Sequence, residues 1–202
     1  MVQAFFDDLN ETLAHAWRLL ELGVKDPRVG SHLPVLATVG LDGTPQARTV
    51  VLRGVDVKTR QVFFFSDCRT QKMAELAKQP VAVLQMYDHA QKIQLQLRGE
   101  ISVHHGDEVA ERFWQTTRMH SRRAYLVNPA PGQTIGLPGN GLPKDLSYRA
   151  PSLAESEAGK PYFVVLSLHV SELTWLYLAP FNQRRALYQW SHGQLDACWQ
   201  VP

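Results

Sequence analysis

The sequence predicts a mainly β fold, a small barrel carrying peripheral α helices. Short β-rich runs follow one another from residue 33 to 103 and return near the C-terminus; turn signals separate them; and strands do not alternate with helices as a parallel sheet requires. A chain of 202 residues that is 45% hydrophobic can fill one sizeable core, so residues 1–202 read as a single domain. It contains no internal repeat and no low-complexity tract.

The first element is a helix over residues 4–22. Phe5, Leu9, Leu13, Ala16, Trp17 and Leu20 recur at spacings of three and four, and Gly23 offers a terminator. Strand character begins in "LPVLATVG" (33–40). After the turn signal "LDGT" it continues in "QARTVVLRGVD" (46–56), read as one strand, and in its hairpin partner "QVFFFS" (61–66). "RTQKMAELAKQP" (69–80) puts Met73, Leu76 and Ala77 on one helical face before Pro80 stops it. "VAVLQMY" (81–87) and "KIQLQLRGEISV" (92–103) are further strands, and residues 107–118 form another helix. Residues 127–160 make a long loop, crowded with Pro and Gly and without a period. "YFVVLSLHV" (162–170), "LTWLYLA" (173–179), "RRALYQW" (184–190) and "ACWQVP" (197–202) return to strands.

Charge and composition narrow the function. A net charge of +2, from 21 basic and 19 acidic residues with no Lys/Arg block, argues against a nucleic-acid partner. The N-terminus carries acids where a secretory signal has a basic start, and no apolar run approaches membrane-spanning length, so a soluble, cytoplasmic protein is expected. Cys68 and Cys198 stand far apart and outside any CxxC, and read as reduced thiols. The eight histidines form no HExxH, and the adjacent His104 and His105 point to opposite faces of a strand, so no metal is expected.

The informative stretch is "FFFSDCRTQK" (63–72). It runs from a strand into a first helical turn, where free amides and the helix dipole favour an anion, yet Arg69 and Lys72 sit there. A bound phosphate would explain these cations; so would a solvated arrangement in which Asp67 caps the helix and pairs with Arg69. The preceding hairpin strand adds Arg48 and Arg53. Their five-residue offset puts them on opposite faces of a regular strand, so both meet one ligand only through a bulge or around a strand end. Gln94 lies on the polar side of its strand, and its amide both donates and accepts, which suits a ring of alternating NH and C=O groups.

"ARTVVLRGVD" (47–56), "VFFFSDCRTQKMAELAKQPVAVLQMY" (62–87) and "QLQLRGE" (94–100) together resemble the pyridoxamine 5'-phosphate oxidase-related family of FMN-binding split β-barrels. The similarity runs from about residue 33 to the C-terminus and is strongest over 46–104. The resemblance implies FMN as cofactor, with Arg48 and Lys72 on its phosphate, Val50, Val51, Leu52 and Arg53 passing along the flavin, and Phe65 and Ser66 lining the ribityl phosphate side. Gln71 stands where the family has a phosphate-binding arginine, with Arg69 nearby as a substitute. Gln94 matches the glutamine that meets the flavin ring, Gln133 and Thr134 a loop pair from the second subunit, and Trp175 and Arg185 the later tryptophan and arginine. A homodimer with FMN at the interface follows from the same likeness. At the substrate site Arg53 and Ser121 match, whereas Phe181, Gln183 and Thr117 replace cations, which argues against pyridoxine or pyridoxamine phosphate and for an uncharged or less phosphorylated small molecule; the alternative is that Arg184, Arg118 or Arg122 swings in to replace the missing charges. The activity implied is hydride transfer from a small substrate to flavin N5; the other readings are a flavin- or haem-binding barrel without turnover, and a structural barrel with an empty site.

Overall fold

In a computed structural model of the chain, which describes residues 4–202, nine strands form one antiparallel sheet. They are β1 (Val35–Val39), β2 (Pro45–Thr49), β3 (Leu52–Asp56), β4 (Gln61–Asp67), β5 (Val81–Asp88), β6 (Ile93–His104), β7 (Phe163–Tyr177), β8 (Arg184–Ser191) and β9 (Gln194–Gln200). The hydrogen-bonded order is β2-β1-β5-β6-β7-β4-β3, with β8 on β7 and β9 on β8. β2 and β3 thus end the main path on opposite sides, yet only Val50 and Val51 connect them. Two residues cannot span an open seven-strand sheet, whose strands stand about 4.8 Å apart, so the sheet must curl until its ends meet. The "QARTVVLRGVD" stretch is therefore two strands that switch edges, not one.

β7 is continuous where two strands were expected, and it changes partners along its length. Phe163–His169 pairs with β4, Glu172–Tyr177 pairs with β8, and β6 runs along both halves. The change falls at a bulge: the register shifts between Arg98 and Gly99, opposite Ser171. A Cβ on Gly99 would lie 1.9 Å from the His169 carbonyl oxygen, so this close approach requires glycine.

α1 (Leu9–Lys25) starts one turn later than the periodicity suggested, because Asp8 caps it by accepting from the amides of Asn10 and Glu11. Residues 4–7 form a separate 3-10 turn. The side chain of Phe5, one of the positions expected on the helix, lies outside the described residues. Gly23 does not terminate α1: its missing Cβ, which would sit 2.3 Å from Ser31 Oγ, lets the following segment pack against the helix. Ala16, Trp17, Leu19 and Leu20 enter the main core beside Leu36, Leu52, Phe64, Leu95, Leu97 and Trp175. α2 (Gln71–Lys78) buries Leu76 and Glu75, and α3 (Glu108–Thr116) covers a second core of Phe63, Trp114, Tyr125 and Phe163. α4 (Met119–Arg122) follows at once. The long loop holds a 3-10 turn at Asp145–Ser147 and α5 (Leu153–Glu157), which Ser152 and Glu155 cap reciprocally. Among the described residues, no helix is long and apolar enough to cross a membrane, and no group of three or more His, Cys, Asp or Glu is placed to hold a metal ion.

Candidate flavin-binding site

The break between β2 and β3 answers the problem posed by Arg48 and Arg53. Arg48 lies one residue before the end of β2 and Arg53 sits in the bulge of β3, where the register shifts between Leu52 and Gly54, so they do not obey the alternation of one strand. They serve two adjoining places. Arg48 Nη2 donates to Glu75 Oε2 at 2.8 Å, and its Nη1 donates to Thr38 Oγ1. Lys72, in the first turn of α2, donates from Nζ to Ser66 Oγ and Thr70 Oγ1, each at 3.1 Å. Burial, reinforced by the charge of Arg48, holds the Lys72 ammonium below the ordinary lysine pKa. Two cations therefore converge beside two hydroxyls, and the one that is mostly desolvated has no carboxylate in contact.

Arg53 is half-buried, 5.5 Å from the Phe65 ring centroid. Burial is the main cause that lowers its pKa, and Arg118 adds to it. Arg53, Phe65 and Ser121 are shared by two adjoining cavities of about 430 and 410 Å³. His120, Arg123 and Tyr125 line the first, and Lys25, His32 and Arg118 the second; neither has an acidic lining residue. Burial pushes the Tyr125 hydroxyl well up, so it stays protonated.

Several expected residues take other parts. Val50 and Leu52 turn into the core, and only Val51 of the three lines a cavity. Gln71 is exposed at the start of α2. Arg69 does not replace the missing arginine: it forks onto Asp67 (2.9 and 2.6 Å), donates to the Val127 carbonyl at 3.0 Å and stacks 3.7 Å over Tyr162. The solvated alternative was half right, since Asp67 does pair with Arg69, but the pair is partly buried and Thr70, not Asp67, occupies the helix N-cap position.

The remaining candidates lie elsewhere along β7. Gln94, Leu176 and Arg185 pair in one row across β6, β7 and β8 and so share a face, whereas Phe65 pairs with Val165. Val165 and Leu176 are 11 positions apart, about 36 Å of extended strand. Trp175 points to the opposite face from that row and is fully buried, 5.2 Å from the Phe6 ring centroid. Its Nε1 and the Arg185 Nε are buried without a hydrogen-bond partner. Gln133 and Thr134 are exposed on the long loop, and Phe181 and Gln183 are exposed in the turn between β7 and β8.

Residues 14–105 match the family model described as the FMN-binding domain of pyridoxamine 5'-phosphate oxidase. That stretch is similar to the pyridoxamine 5'-phosphate oxidase FMN-binding domain. Its cofactor is FMN, and the residues present suit one: Lys72 and Arg48 offer charge to a phosphate, and the unpartnered Arg185 Nε offers a donor. The chain is 28% identical to the Arabidopsis thaliana protein named pyridoxine/pyridoxamine 5'-phosphate oxidase 2, over 91% of this chain and 93% of that one. It is 37% identical to the pyridoxine/pyridoxamine 5'-phosphate oxidase of Thermosynechococcus vestitus over 46% of each chain. A pyridoxamine 5'-phosphate oxidase-related, FMN-binding protein from Nostoc punctiforme has the same fold, with a TM-score of 0.73, 23% identity and 95% of each chain covered. So does PhzG from Burkholderia lata 383, with a TM-score of 0.72 and 17% identity over 100% of this chain and 98% of that one.

Glu75, Thr38 and Tyr125 were not foreseen as parts of the site. Glu75 alone left a trace, a carboxylate at the position before Leu76, on the face of α2 that turns inward.

Proposed function

We propose that the chain is an FMN-dependent oxidoreductase acting on a small anionic molecule other than pyridoxine or pyridoxamine phosphate, and that it works as a homodimer with residues of both copies at each flavin. When bound, FMN supplies the acceptance of a hydride at its ring. Arg48, Lys72 and Ser66 hold the phosphate end. Gln94 and Arg185 reach the same FMN from the second copy, because within one chain they stand much further along β7 than a mononucleotide extends. Gln133 and Thr134 come from that copy too, on the exposed loop. Trp175 supports this face from behind.

The observation that carries the substrate reading is the cavity beside Phe65, whose charged lining is wholly basic. Arg53 and Ser121 orient an anionic group there, and the Tyr125 hydroxyl supplies a donor. Of the uncharged or less phosphorylated molecules expected, this favours one that keeps an anionic group. The case against pyridoxamine phosphate rests on the missing cations. Thr117 turns its hydroxyl to the Phe113 carbonyl at 2.7 Å, and Arg122 is locked onto Thr117 O, Trp114 O and Glu157. Arg184 is paired with Asp7 at 2.8 Å. Of the arginines next to the substituted positions, Arg118 is the one lining the cavity.

The purified protein should show flavin absorption that acid precipitation releases as FMN, and anaerobic addition of its substrate should bleach that absorption. A flavin band that no anionic donor bleaches, or a haem Soret band in its place, overturns the oxidoreductase reading in favour of a binding module. With pyridoxamine phosphate we expect turnover well under about 1 per second. Faster turnover, lost in Arg118→Ala, would show that Arg118 replaces the missing cations.

A further inference from the structure

The Glu75 side chain is 1% exposed, yet it lies against the proposed phosphate site. A buried carboxylate repels a phosphate dianion, so its presence there calls for a compensating role. The geometry points to one. Glu75 Oε2 accepts from Arg48 Nη2 at 2.8 Å and from Thr38 Oγ1 at 2.6 Å, and Thr38 Oγ1 in turn receives Arg48 Nη1. Side chains from β1, β2 and α2 thereby close a ring on the two terminal nitrogens of one guanidinium. Of its five N–H donors, two are spent inward and three are left for a ligand, in a fixed orientation. Lys72 stands three residues before Glu75 on the same helix but is held by the Ser66 and Thr70 hydroxyls instead.

We propose that Glu75 is a positioning residue for the cofactor phosphate: it locks Arg48, through Thr38, so that the free guanidinium edge and the Lys72 ammonium present to one anion. The inference rests on the reading that Arg48 and Lys72 hold the FMN phosphate. Hydrogen bonding and charge act in opposite senses at Glu75, which makes them separable. Glu75→Gln keeps an oxygen acceptor for both donors and removes the repulsion; Glu75→Leu keeps the volume and removes the acceptor.

The test is flavin-fluorescence titration of the flavin-stripped full-length chain with FMN and, separately, with riboflavin, which lacks the phosphate. Glu75→Leu should weaken FMN about ten-fold and leave riboflavin unchanged, while Glu75→Gln stays within about three-fold of the parent for FMN. Thr38→Val, which cuts the same ring from β1, should repeat the selective loss and serves if Glu75→Leu does not fold. Equal losses of FMN and riboflavin would assign Glu75 to packing alone, and an undiminished FMN affinity in both Glu75→Leu and Thr38→Val would sink the positioning role. If the parent chain binds riboflavin as tightly as FMN, the phosphate assignment of Arg48 and Lys72 fails first, whatever the variants do.

Discussion

Arg48 and Lys72 bring the same charge to one place but are held by opposite means, and their variants should differ accordingly. Lys72 is supported by hydroxyls, so Lys72→Ala should weaken FMN binding roughly ten- to a hundred-fold and leave the melting temperature nearly unchanged. Arg48→Ala strands the buried Glu75 carboxylate and should also cost about 3–5 kcal/mol of stability in denaturant titration. Lys78→Ala, whose exposed ammonium bonds the Leu41 carbonyl at the far end of α2, is the control that should change neither. The depressed Lys72 pKa gives a pH dependence with a definite sign. Below the lowered value the ammonium is charged and attracts phosphate; as pH rises through it, short of the ordinary lysine value of about 10.4, that attraction is lost. FMN affinity should therefore fall on the alkaline side in the parent chain, and not in Lys72→Arg, by fluorescence titration. An equal fall in both would assign the titration to another group. Sequence proposes these two cations through the family motifs around each. It could not separate free from engaged: Arg69 looked equally available, but Asp67, Val127 and Tyr162 converge on it only after folding. The same holds for Ser167, His104 and Asp107, which line up at 3.2 and 2.8 Å in the order of a nucleophilic triad. Ser167 is 1% exposed, too enclosed for a substrate carbonyl, so the chain of bonds ties β6 and β7 to the cap of α3.

At the level of elements, the strands were legible where apolar residues alternate, and the errors fall where geometry interrupts a continuous pattern. "QARTVVLRGVD" is apolar through its middle, and nothing in it marks the crossing at Val50 and Val51, since the edge switch depends on where β1 and β4 have already gone. Conversely, Ser171 and Glu172 look like a break between strands but form a bulge that β7 absorbs. Gly99 is the reason it can. Gly99→Ala should destabilise the fold by at least about 1–3 kcal/mol, read by thermal or chemical unfolding, because the added carbon meets backbone on a partner strand and not a side chain that can move. A variant as stable as the parent would mean that the strands part easily at this point. Gly23 taught the opposite lesson: a glycine near a predicted helix end serves packing against Ser31, and the helix runs past it.

For the whole molecule, the proposed site is divided between copies, and that makes a prediction no single-chain site shares. Lys72→Ala removes a cation from one half-site and Arg185→Ala a donor from the other. Either variant alone should bind FMN weakly; unfolded together and refolded as mixed dimers, they should regain one parental site per heterodimer, counted by FMN stoichiometry. No recovery, with mixed dimers confirmed by mass, would place both residues at the same flavin from one chain. The proposed division has its source in sequence only through family resemblance, because residues distant along β7 carry no sign of which copy's ligand they meet. The two-residue passage from β2 to β3 has a kinetic consequence as well. Bringing the sheet's two ends together involves a negligible loop, so barrel closure adds little entropic barrier, whereas pairing β6 with β7 from Ile93↔Tyr177 to His104↔Val165 encloses the whole stretch of α3, α4 and the long loop. The slow step of folding should accordingly be this non-local zipper, with the β1 to β5 segment able to collect around α2 beforehand.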